Sequence, residues 1–202
     1  MNQKLIVFIR APRIGEVKTR LAHAIGNEAA LSAYRVLVGQ LLEHLGRLQN
    51  VELRFTPDAG RAELVPWLRP GWALMPQGEG DLGERLGRAF QESFGEGTQR
   101  VVIIGSDCPA VSVADIESAW RSLLTNDVVL GPASDGGYWL IGLRGPQPGL
   151  FHNVPWSTAS VLETTLARVR NAGLTFHRLR ELTDIDTAED WKEFNAAIQR
   201  NT

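Results

Sequence analysis

The chain has 202 residues, 44% hydrophobic and 22% charged, which is enough for one sizeable core and short for two. We therefore expect a single domain over residues 1–202. The 21 Lys and Arg residues nearly balance the 23 Asp and Glu residues, so the formal net charge is −2. Because this charge attracts neither nucleic acid nor an anionic membrane, neither is an expected partner.

The cysteine count and the first residues bear on location. Cys108 is the only cysteine, so an internal disulfide is excluded. The uncharged segment between Lys4 and Arg10 is too short for a signal peptide or a membrane span. These features predict a cytoplasmic protein without a membrane span, and they leave the oligomeric state open.

Apolar runs and helical patterns alternate along the chain. The first run, Lys4–Ile9, is continuous, as is typical of a strand buried on both faces. From Asn27, a predicted N-cap, apolar residues recur as far as Leu45 at the spacing of one helix face. The remaining predicted strands are Val51–Phe55, Trp72–Met75, Arg100–Ile104, Asp127–Leu130, Tyr138–Leu143 and Leu174–Arg178, and the remaining predicted helices lie near 81–94, 112–124, 158–171 and 187–199.

This order of elements predicts the fold class. Strands that alternate with helices form βαβ units, so we expect an α/β fold with a mostly parallel sheet and helices on both of its faces. Three of the predicted helices begin with a capping side chain three residues before an acid, at Asp81–Glu84, Ser112–Asp115 and Thr187–Asp190.

A carboxylate follows the central predicted strand. Gly105, Ser106 and Asp107 come directly after the apolar run Val101–Ile104. In open α/β sheets, ligands bind at the carboxyl ends of the strands. Asp107 is therefore expected to bind a metal or a substrate, and the alternative is an Asp that only closes the turn before Pro109.

The loop after the first strand is basic. Four cations, Arg10, Arg13, Lys18 and Arg20, lie within eleven residues, and Gly15 allows the backbone to approach a ligand. Because Arg and Lys bind phosphate oxygens, the segment is interpreted as a phosphate-binding loop, with a solvated basic loop as the alternative. It has neither the glycine spacing of a Walker A loop nor that of a dinucleotide fingerprint.

Two further segments are rich in glycine. Gln77–Arg85 leads into a predicted helix start and offers N–H donors to a base, a ribose or an anion, or is only a structural turn. Gly131–Trp139 contains Asp135, and its adjacent glycines suit either a turn packed against an acceptor or a plain hairpin turn. The hydroxyls of the nearby segment Trp156–Thr158 are expected to cap the next helix, although they can also face the same cleft.

The last cluster is acidic. Asp184 and Asp186 alternate in an extended segment, so both carboxylates point to one side and can bind a hard cation, whereas Asp190 is expected to cap Thr187. The central structural prediction is that Asp186 meets Asp107. The four histidines lack the spacing of zinc ligands, and Cys108 is expected to fill a small buried space.

Taken in order, these motifs resemble a known family. The matching segments are Ala11–Leu21, Gly78–Leu86, Gly105–Pro109, Gly131–Tyr138, Trp156–Thr158 and Asp184–Asp190. They are similar to the bacterial family called domain of unknown function 2064, also labelled a selenodomain-associated transferase, over about Leu5 to Trp191. That family belongs to the glycosyltransferase-A-like, nucleotide-diphospho-sugar transferase superfamily.

The resemblance implies a Rossmann-like, three-layer α/β/α sandwich with the nucleotide over the first loop. More distantly, the chain is similar to the molybdenum-cofactor and phospholactate guanylyltransferases, whose two magnesium-binding Asp residues match Asp107 and, best, Asp186. By the same resemblance, Lys18 and Arg20 would face the phosphates. Glycosyltransferases of this fold usually carry Asp-x-Asp where this chain has Ser-Asp-Cys at 106–108, so the pattern is closer to that of the nucleotidyltransferases.

The predicted site residues fall into four groups. The predicted catalytic residues are Asp107, Lys18 and Asp135. The predicted ligands of Mg²⁺ or Mn²⁺ are Asp107, Asp184 and Asp186. The predicted nucleotide-binding residues are Arg10, Ala11, Gly15, Lys18, Arg20, Gln77, Gly78, Gly80, Asp81, Arg85 and Ser106, and the predicted acceptor-binding residues are Asp135, Gly136, Gly137, Tyr138, Trp156, Ser157 and Thr158.

Three functions are compatible with this set. The first is metal-dependent nucleotidyl transfer from a nucleoside triphosphate to a small acceptor with release of pyrophosphate. The second is glycosyl transfer from a nucleotide sugar with release of a nucleoside diphosphate. The third is a nucleotide-binding protein that retains the fold without turnover.

Overall fold

The fold is built on one seven-stranded sheet, in a computed structural model that describes the backbone of residues 2–200 and the side chains of residues 2–198. The strands are β1 (Gln3–Arg10), β2 (Val51–Thr56), β3 (Ala73–Pro76), β4 (Arg100–Gly105), β5 (Val128–Pro132), β6 (Tyr138–Leu143) and β7 (Phe176–Arg178). The helices are α1 (Thr19–Ile25), α2 (Asn27–His44), α3 (Arg61–Leu64), α4 (Leu82–Gly95), α5 (Val113–Ser122), α6 (Val161–Asn171) and α7 (Ala188–Arg200).

The strand order is β3-β2-β1-β4-β6-β5-β7. β1 pairs in parallel with both β2 and β4, and only β6 runs antiparallel to its neighbours, because a tight hairpin joins it to β5. The predicted, mostly parallel sheet is therefore confirmed. In the register of β1 and β4, Phe8 lies opposite Gly105, so the loops that follow these two strands leave the same edge of the sheet.

Helices cover both faces of the sheet, as expected for a three-layer α/β/α sandwich. Along β1, Leu5, Val7 and Ile9 point to the face covered by α2 and α5, whereas Ile6 points to the face covered by α4 and α6. α1 forms a small separate cluster, in which it packs against the start of α2 and against Trp191 of α7. This contact brings the start of α7 to the end of the first loop.

Three helix starts follow local signals in the sequence. The capping boxes Asp81–Glu84 and Ser112–Asp115 are both present, and the Thr187 hydroxyl accepts from the Asp190 N–H at 3.2 Å. Every helix within residues 2–200 is too short or too polar to cross a membrane.

Two local predictions were wrong, and one helix was missed. The N-cap of α2 is Gly26, at φ 87°, and Asn27 is already the first helical residue. α1 was not predicted, because Thr19–Leu21 was interpreted as the end of the phosphate-binding loop. α6 begins at Val161 rather than near 158, because Ser157 at φ 63° belongs to the preceding turn.

Two glycine substitutions test these backbone assignments with opposite signs. We expect Gly136→Ala, in the β5–β6 turn, to lower the free energy of unfolding by about 2 kcal/mol, because φ is +87° and the new Cβ would overlap the backbone of Ala159. Gly39→Ala in α2 has no atom within 4 Å of its new Cβ and should raise the free energy of unfolding by about 0.5 to 1 kcal/mol. Equal effects in urea unfolding would contradict the assignment.

Candidate active site

A cavity of about 670 Å³ opens at the carboxyl edge of the sheet. Its walls come from the loops after β1 and β4, the start of α4, the β5–β6 hairpin and the segment before α7. Among the predicted site residues, those that line it are Arg10, Lys18, Arg20, Gln77, Gly80, Asp81, Arg85, Ser106, Asp107, Tyr138, Ser157, Asp184 and Asp186.

The centre of this cleft is an ion-pair triad of Lys18, Asp107 and Asp186. The ammonium nitrogen of Lys18 lies 2.6 Å from Oδ1 of Asp107 and 2.9 Å from Oδ1 of Asp186. The Lys18 side chain is 3% exposed, whereas those of Asp107 and Asp186 are 49% and 39% exposed. The structure thus brings together the two carboxylates that the sequence analysis paired, with the predicted loop cation between them.

Three elements position the triad. Lys18 precedes α1 with a left-handed backbone, φ 47° and ψ 47°, a conformation that costs a residue other than glycine about 1 kcal/mol. Asp107 follows β4, and its carbonyl oxygen accepts from the N–H of Ile185 at 3.1 Å. Because Ile185 lies between Asp184 and Asp186, this bond sets both acidic side chains at the cleft.

The electrostatics of the triad favour the charged form of Lys18. Burial acts to lower the pKa of Lys18, but the charges of Asp107 and Asp186, together with their hydrogen bonds, raise it above its ordinary value. Arg20 lies 3.7 Å from Oδ2 of Asp186 and adds a second, exposed cation. Lys18 therefore stays charged at neutral pH.

Asp184 has a different environment from the other two acids. Its Oδ1 accepts from the thiol of Cys108, which is buried as predicted. Burial raises the pKa of Asp184 to about 6, and the charges of Asp107, Asp135 and Asp186 add to this effect while the Cys108 hydrogen bond opposes it. Burial likewise raises the pKa of the Cys108 thiol.

The predicted set of three metal ligands does not converge. Within the described side chains, no group of three or more His, Cys, Asp and Glu residues is arranged to hold a metal ion. The reason is that Asp184 turns toward Cys108, whereas Asp107 and Asp186 converge on one positive charge. Two carboxylates with exposed oxygens fit Mg²⁺ or Mn²⁺, because such ions commonly take their other ligands from water and substrate phosphates.

The glycine-rich loop before α4 is held by arginines. Arg88, which the sequence analysis missed, donates to the carbonyl oxygens of Gln77 at 2.6 Å and Glu79 at 2.9 Å. Arg85 donates to the carbonyl oxygen of Gly80 at 2.9 Å. An arginine one or two turns into a helix that follows a glycine-rich loop is the signal that pointed to Arg85 and applies equally to Arg88.

Several predicted nucleotide contacts are already engaged within the protein. The N–H of Gly78 donates to Asp58 at 3.2 Å, and the Asp81 carboxylate accepts from the N–H of Glu84 as a helix cap. The buried amide of Gln77 donates to the carbonyl oxygen of Arg54 at 2.9 Å. The loop is therefore a rigid wall whose capped helix start faces the cleft.

The tip of the first loop lies away from the cleft. Ala11 is buried, and its N–H donates to the carbonyl oxygen of Thr56 at 2.8 Å. Arg13 forms a salt bridge of 2.7 Å with Glu63, which draws the loop toward α3. Gly15, at φ 77°, makes the turn that follows, so Ala11 and Gly15 shape the loop and do not line the cavity.

The predicted acceptor residues divide in the same way. Tyr138 and Ser157 line the cleft, whereas Asp135 accepts from the N–H of Gly137 at 2.8 Å within the hairpin turn. Trp156 packs edge-on against Tyr138 with ring centroids 6.5 Å apart. Gly136 and Thr158 also lie outside the cavity lining. Gly136 packs against the backbone of Ala159, and the Thr158 hydroxyl donates to the carbonyl oxygen of Pro155.

Tyr34 is a site residue that sequence reasoning placed only on the apolar face of α2. Its buried hydroxyl donates to the carbonyl oxygen of Arg10 and accepts from the N–H of the same residue, both at 3.0 Å. Burial raises the pKa of Tyr34 to about 12, although hydrogen bonds with Ser106 and Arg10 act to lower it. A tyrosine on an apolar helix face needs a partner for its hydroxyl, and that need was the available signal.

A comparison with protein families finds a match. The family model described as an uncharacterized protein conserved in bacteria, domain of unknown function 2064, matches residues 42–158. No curated protein matches the chain.

Solved structures match over nearly the whole chain. A candidate nucleotide-diphospho-sugar transferase from Desulfovibrio desulfuricans G20 is 36% identical, with a TM-score of 0.86 over 93% of this chain and 84% of that one. CMP:2-keto-3-deoxy-manno-octonic acid synthetase complexed with CTP shares the fold at 10% identity and a TM-score of 0.63, over 100% of both chains. Rv0371c from Mycobacterium tuberculosis H37Rv, complexed with manganese, does so at 13% identity and a TM-score of 0.52, over 96% of this chain and 97% of that one.

Tyr34→Phe tests how the cleft edge is held. Removal of the hydroxyl leaves the N–H and carbonyl groups of Arg10 without this partner, so we expect the free energy of unfolding to fall by about 1 to 2 kcal/mol. Ser32→Ala on the same helix removes an exposed hydroxyl bonded only to the carbonyl oxygen of Glu28, and should change it by less than about 0.5 kcal/mol. Indistinguishable urea unfolding curves for the two variants would contradict this role of Tyr34.

Proposed function

The chain belongs to the bacterial family described as domain of unknown function 2064, and we propose that it is a metal-dependent transferase that uses a nucleotide-activated donor. The observation that carries this proposal is the convergence of Lys18, Asp107 and Asp186 inside a cleft at the carboxyl edge of the sheet. This edge is where open α/β folds bind nucleotides. The 36% identical Desulfovibrio desulfuricans relative, described as a candidate nucleotide-diphospho-sugar transferase, supports the same class.

Asp107 and Asp186 are the residues that would hold the metal. Both offer hard oxygen ligands, and both already bind one cationic group in common. The manganese complex of a protein with the same fold supports a divalent ion here. When bound, Mg²⁺ or Mn²⁺ supplies positive charge that offsets the negative charge developing on the transferring phosphate.

The nucleotide would lie between the basic loop and the glycine-rich wall. Lys18 and Arg20 are the cations nearest the acidic pair, and Arg10 and Arg85 line the same cavity, so they would bind and orient the phosphate oxygens. The wall from Gln77 to the start of α4 would hold the ribose or the base. The complexes of CTP with one fold relative and of GMP-PN with HddC from Yersinia pseudotuberculosis, another, support a nucleotide in this cleft.

Nucleotidyl transfer is the reaction that the acidic site favours. At the central position, residues 106–108, the site has a single Asp in place of Asp-x-Asp, and the second carboxylate of the pair is Asp186. In this reaction, an acceptor oxygen attacks the α-phosphorus in line, a new phosphorus–oxygen bond forms, and the bond to the bridging oxygen of pyrophosphate breaks. Lys18 and Arg20 orient the leaving pyrophosphate, while Tyr138 and Ser157 contact the acceptor.

Glycosyl transfer is the second candidate, and the description of the Desulfovibrio desulfuricans relative favours it. The same cations would then bind the departing nucleoside diphosphate. Asp135 would assist the acceptor hydroxyl, and the contribution of its charge to the raised pKa of Asp184 supports this placement near the cleft. The two reactions differ in the donor that the protein binds.

A ligand panel separates these donors without knowledge of the acceptor. We expect a nucleoside triphosphate to raise the melting temperature only when Mg²⁺ or Mn²⁺ is present. A ligand at a concentration of 100 times its Kd stabilises the folded state by about 2.7 kcal/mol, which a melting curve detects. The panel contains the four nucleoside triphosphates and the common nucleotide sugars, each with and without metal. A metal-dependent shift confined to nucleotide sugars would favour glycosyl transfer, and no shift with any member would contradict both reactions.

Asp107→Asn tests the metal-binding role directly. The substitution preserves shape and removes the charge, so the metal-dependent shift in melting temperature with the best nucleotide should disappear while the protein stays folded. Glu117→Gln on the exposed face of α5 makes the same change in net charge far from the triad and should leave the shift intact. An undiminished shift in Asp107→Asn would remove Asp107 from the site.

A further inference from the structure

The ammonium group of Lys18 occupies the point on which Asp107 and Asp186 converge. It contacts one oxygen of each carboxylate, at 2.6 and 2.9 Å, and it is the most buried member of the triad. A metal ion that bridged the same two oxygens would lie at this point as well. The charge of the acidic pair is therefore already partly offset by a cation that belongs to the chain.

A second cation at this point would meet electrostatic repulsion. Mg²⁺ binds oxygen ligands at about 2.0 to 2.1 Å, so an ion between these oxygens would lie closer to them than the ammonium group does. Lys18 and such an ion cannot share the position, and Arg20 adds further positive charge 3.7 Å from Asp186. Metal binding to this pair thus requires that Lys18 leave it.

An anionic nucleotide gives Lys18 another partner. Lys18 lies in the basic loop beside Arg10 and Arg20, and its side chain has four rotatable bonds that allow the ammonium group to turn toward phosphate oxygens. Its left-handed backbone at the start of α1 places the root of the side chain at the junction of loop and cleft. In this exchange, Lys18 gives up its two carboxylate partners and binds phosphate oxygens. The carboxylates give up Lys18 and bind a divalent ion.

We propose that Lys18 is an internal counter-ion that blocks the metal site until a nucleotide draws it away, so that metal and nucleotide bind as a coupled pair. This inference rests on the proposed function, because it concerns the same cleft and the same two carboxylates. It gives Lys18 two successive partners in one binding event. By linkage, the nucleotide strengthens metal binding by the same factor as the metal strengthens nucleotide binding.

A purely structural salt bridge makes a different prediction. If Lys18 served only to tie α1 to the segment before α7, its removal would weaken the fold and leave the affinity for metal unchanged. If it blocks the site, its removal frees two neighbouring carboxylates, whose mutual repulsion a divalent ion relieves. A gain in metal affinity on loss of a lysine is therefore the distinguishing readout.

The test is Mn²⁺ binding without nucleotide, measured by electron paramagnetic resonance of the free ion. We expect Lys18→Met to bind Mn²⁺ about tenfold more tightly than the unaltered protein, the effect of a single adjacent charge on a half-exposed site. Lys18→Gln, which keeps a polar side chain, is a second neutral variant in case the methionine variant folds poorly. Lys192→Met on α7 makes the same charge change away from the triad and should bind Mn²⁺ as the unaltered protein does.

Melting temperatures separate failure of this inference from failure of the proposed function. We expect Mn²⁺ alone to stabilise Lys18→Met, and to stabilise the unaltered protein only together with a nucleoside triphosphate. Equal Mn²⁺ affinity in both proteins, with the unaltered protein still stabilised by Mn²⁺ and nucleotide together, would overturn the counter-ion role alone. No stabilisation of the unaltered protein by Mn²⁺ and nucleotide would overturn the proposed function with it.

Discussion

The triad of Lys18, Asp107 and Asp186 is the contact on which the candidate site depends, because it joins three parts of the chain that are far apart in sequence. Lys18 and Asp186 are separated by 168 positions, and Asp107 lies between them at the end of the central strand. Lys18 is almost fully buried and the two carboxylates are partly exposed, and each group finds an opposite charge within 3 Å. Without this meeting, the cleft would be a basic loop facing an unrelated acidic segment.

The rest of the fold holds the triad in place. Parallel pairing of β1 with β4 sends the basic loop and Asp107 from the same edge of the sheet. Tyr34 fastens the end of β1 to α2, and the bond from the N–H of Ile185 to the carbonyl oxygen of Asp107 fastens the acidic segment to the loop after β4. The packing of α1 against α7 completes the arrangement from outside the sheet.

What the sequence predicted well is what local chemistry determines. All seven strands were predicted, most of them from apolar runs, and the capping pairs marked the starts of α4 and α5, because both signals depend on residues a few positions apart. Asp107 was identified from its place at a strand end, Asp186 from its alternation with Asp184, and both from a family resemblance.

The remaining features depend on contacts between distant residues. Arg13 forms a salt bridge with Glu63, and the tip of the first loop therefore turns away from the cleft. Arg88 donates to carbonyl groups of the glycine-rich loop before α4. No spacing along the chain signals the pair of Arg13 and Glu63, whereas the position of Arg88 two turns into α4 was an available signal. Asp184 belongs to the same class, since its alternation with Asp186 predicted a shared metal and only the fold shows that it faces Cys108.

The most direct measurement of the central claim is a crystal structure of the protein with a nucleoside triphosphate and Mn²⁺, with diffraction recorded at the manganese absorption edge. The account predicts an anomalous peak in contact with the carboxylates of Asp107 and Asp186, with the phosphates against the basic loop and the nucleoside along the wall before α4. An ordered nucleotide outside this cleft, or a manganese peak on other residues, would contradict it.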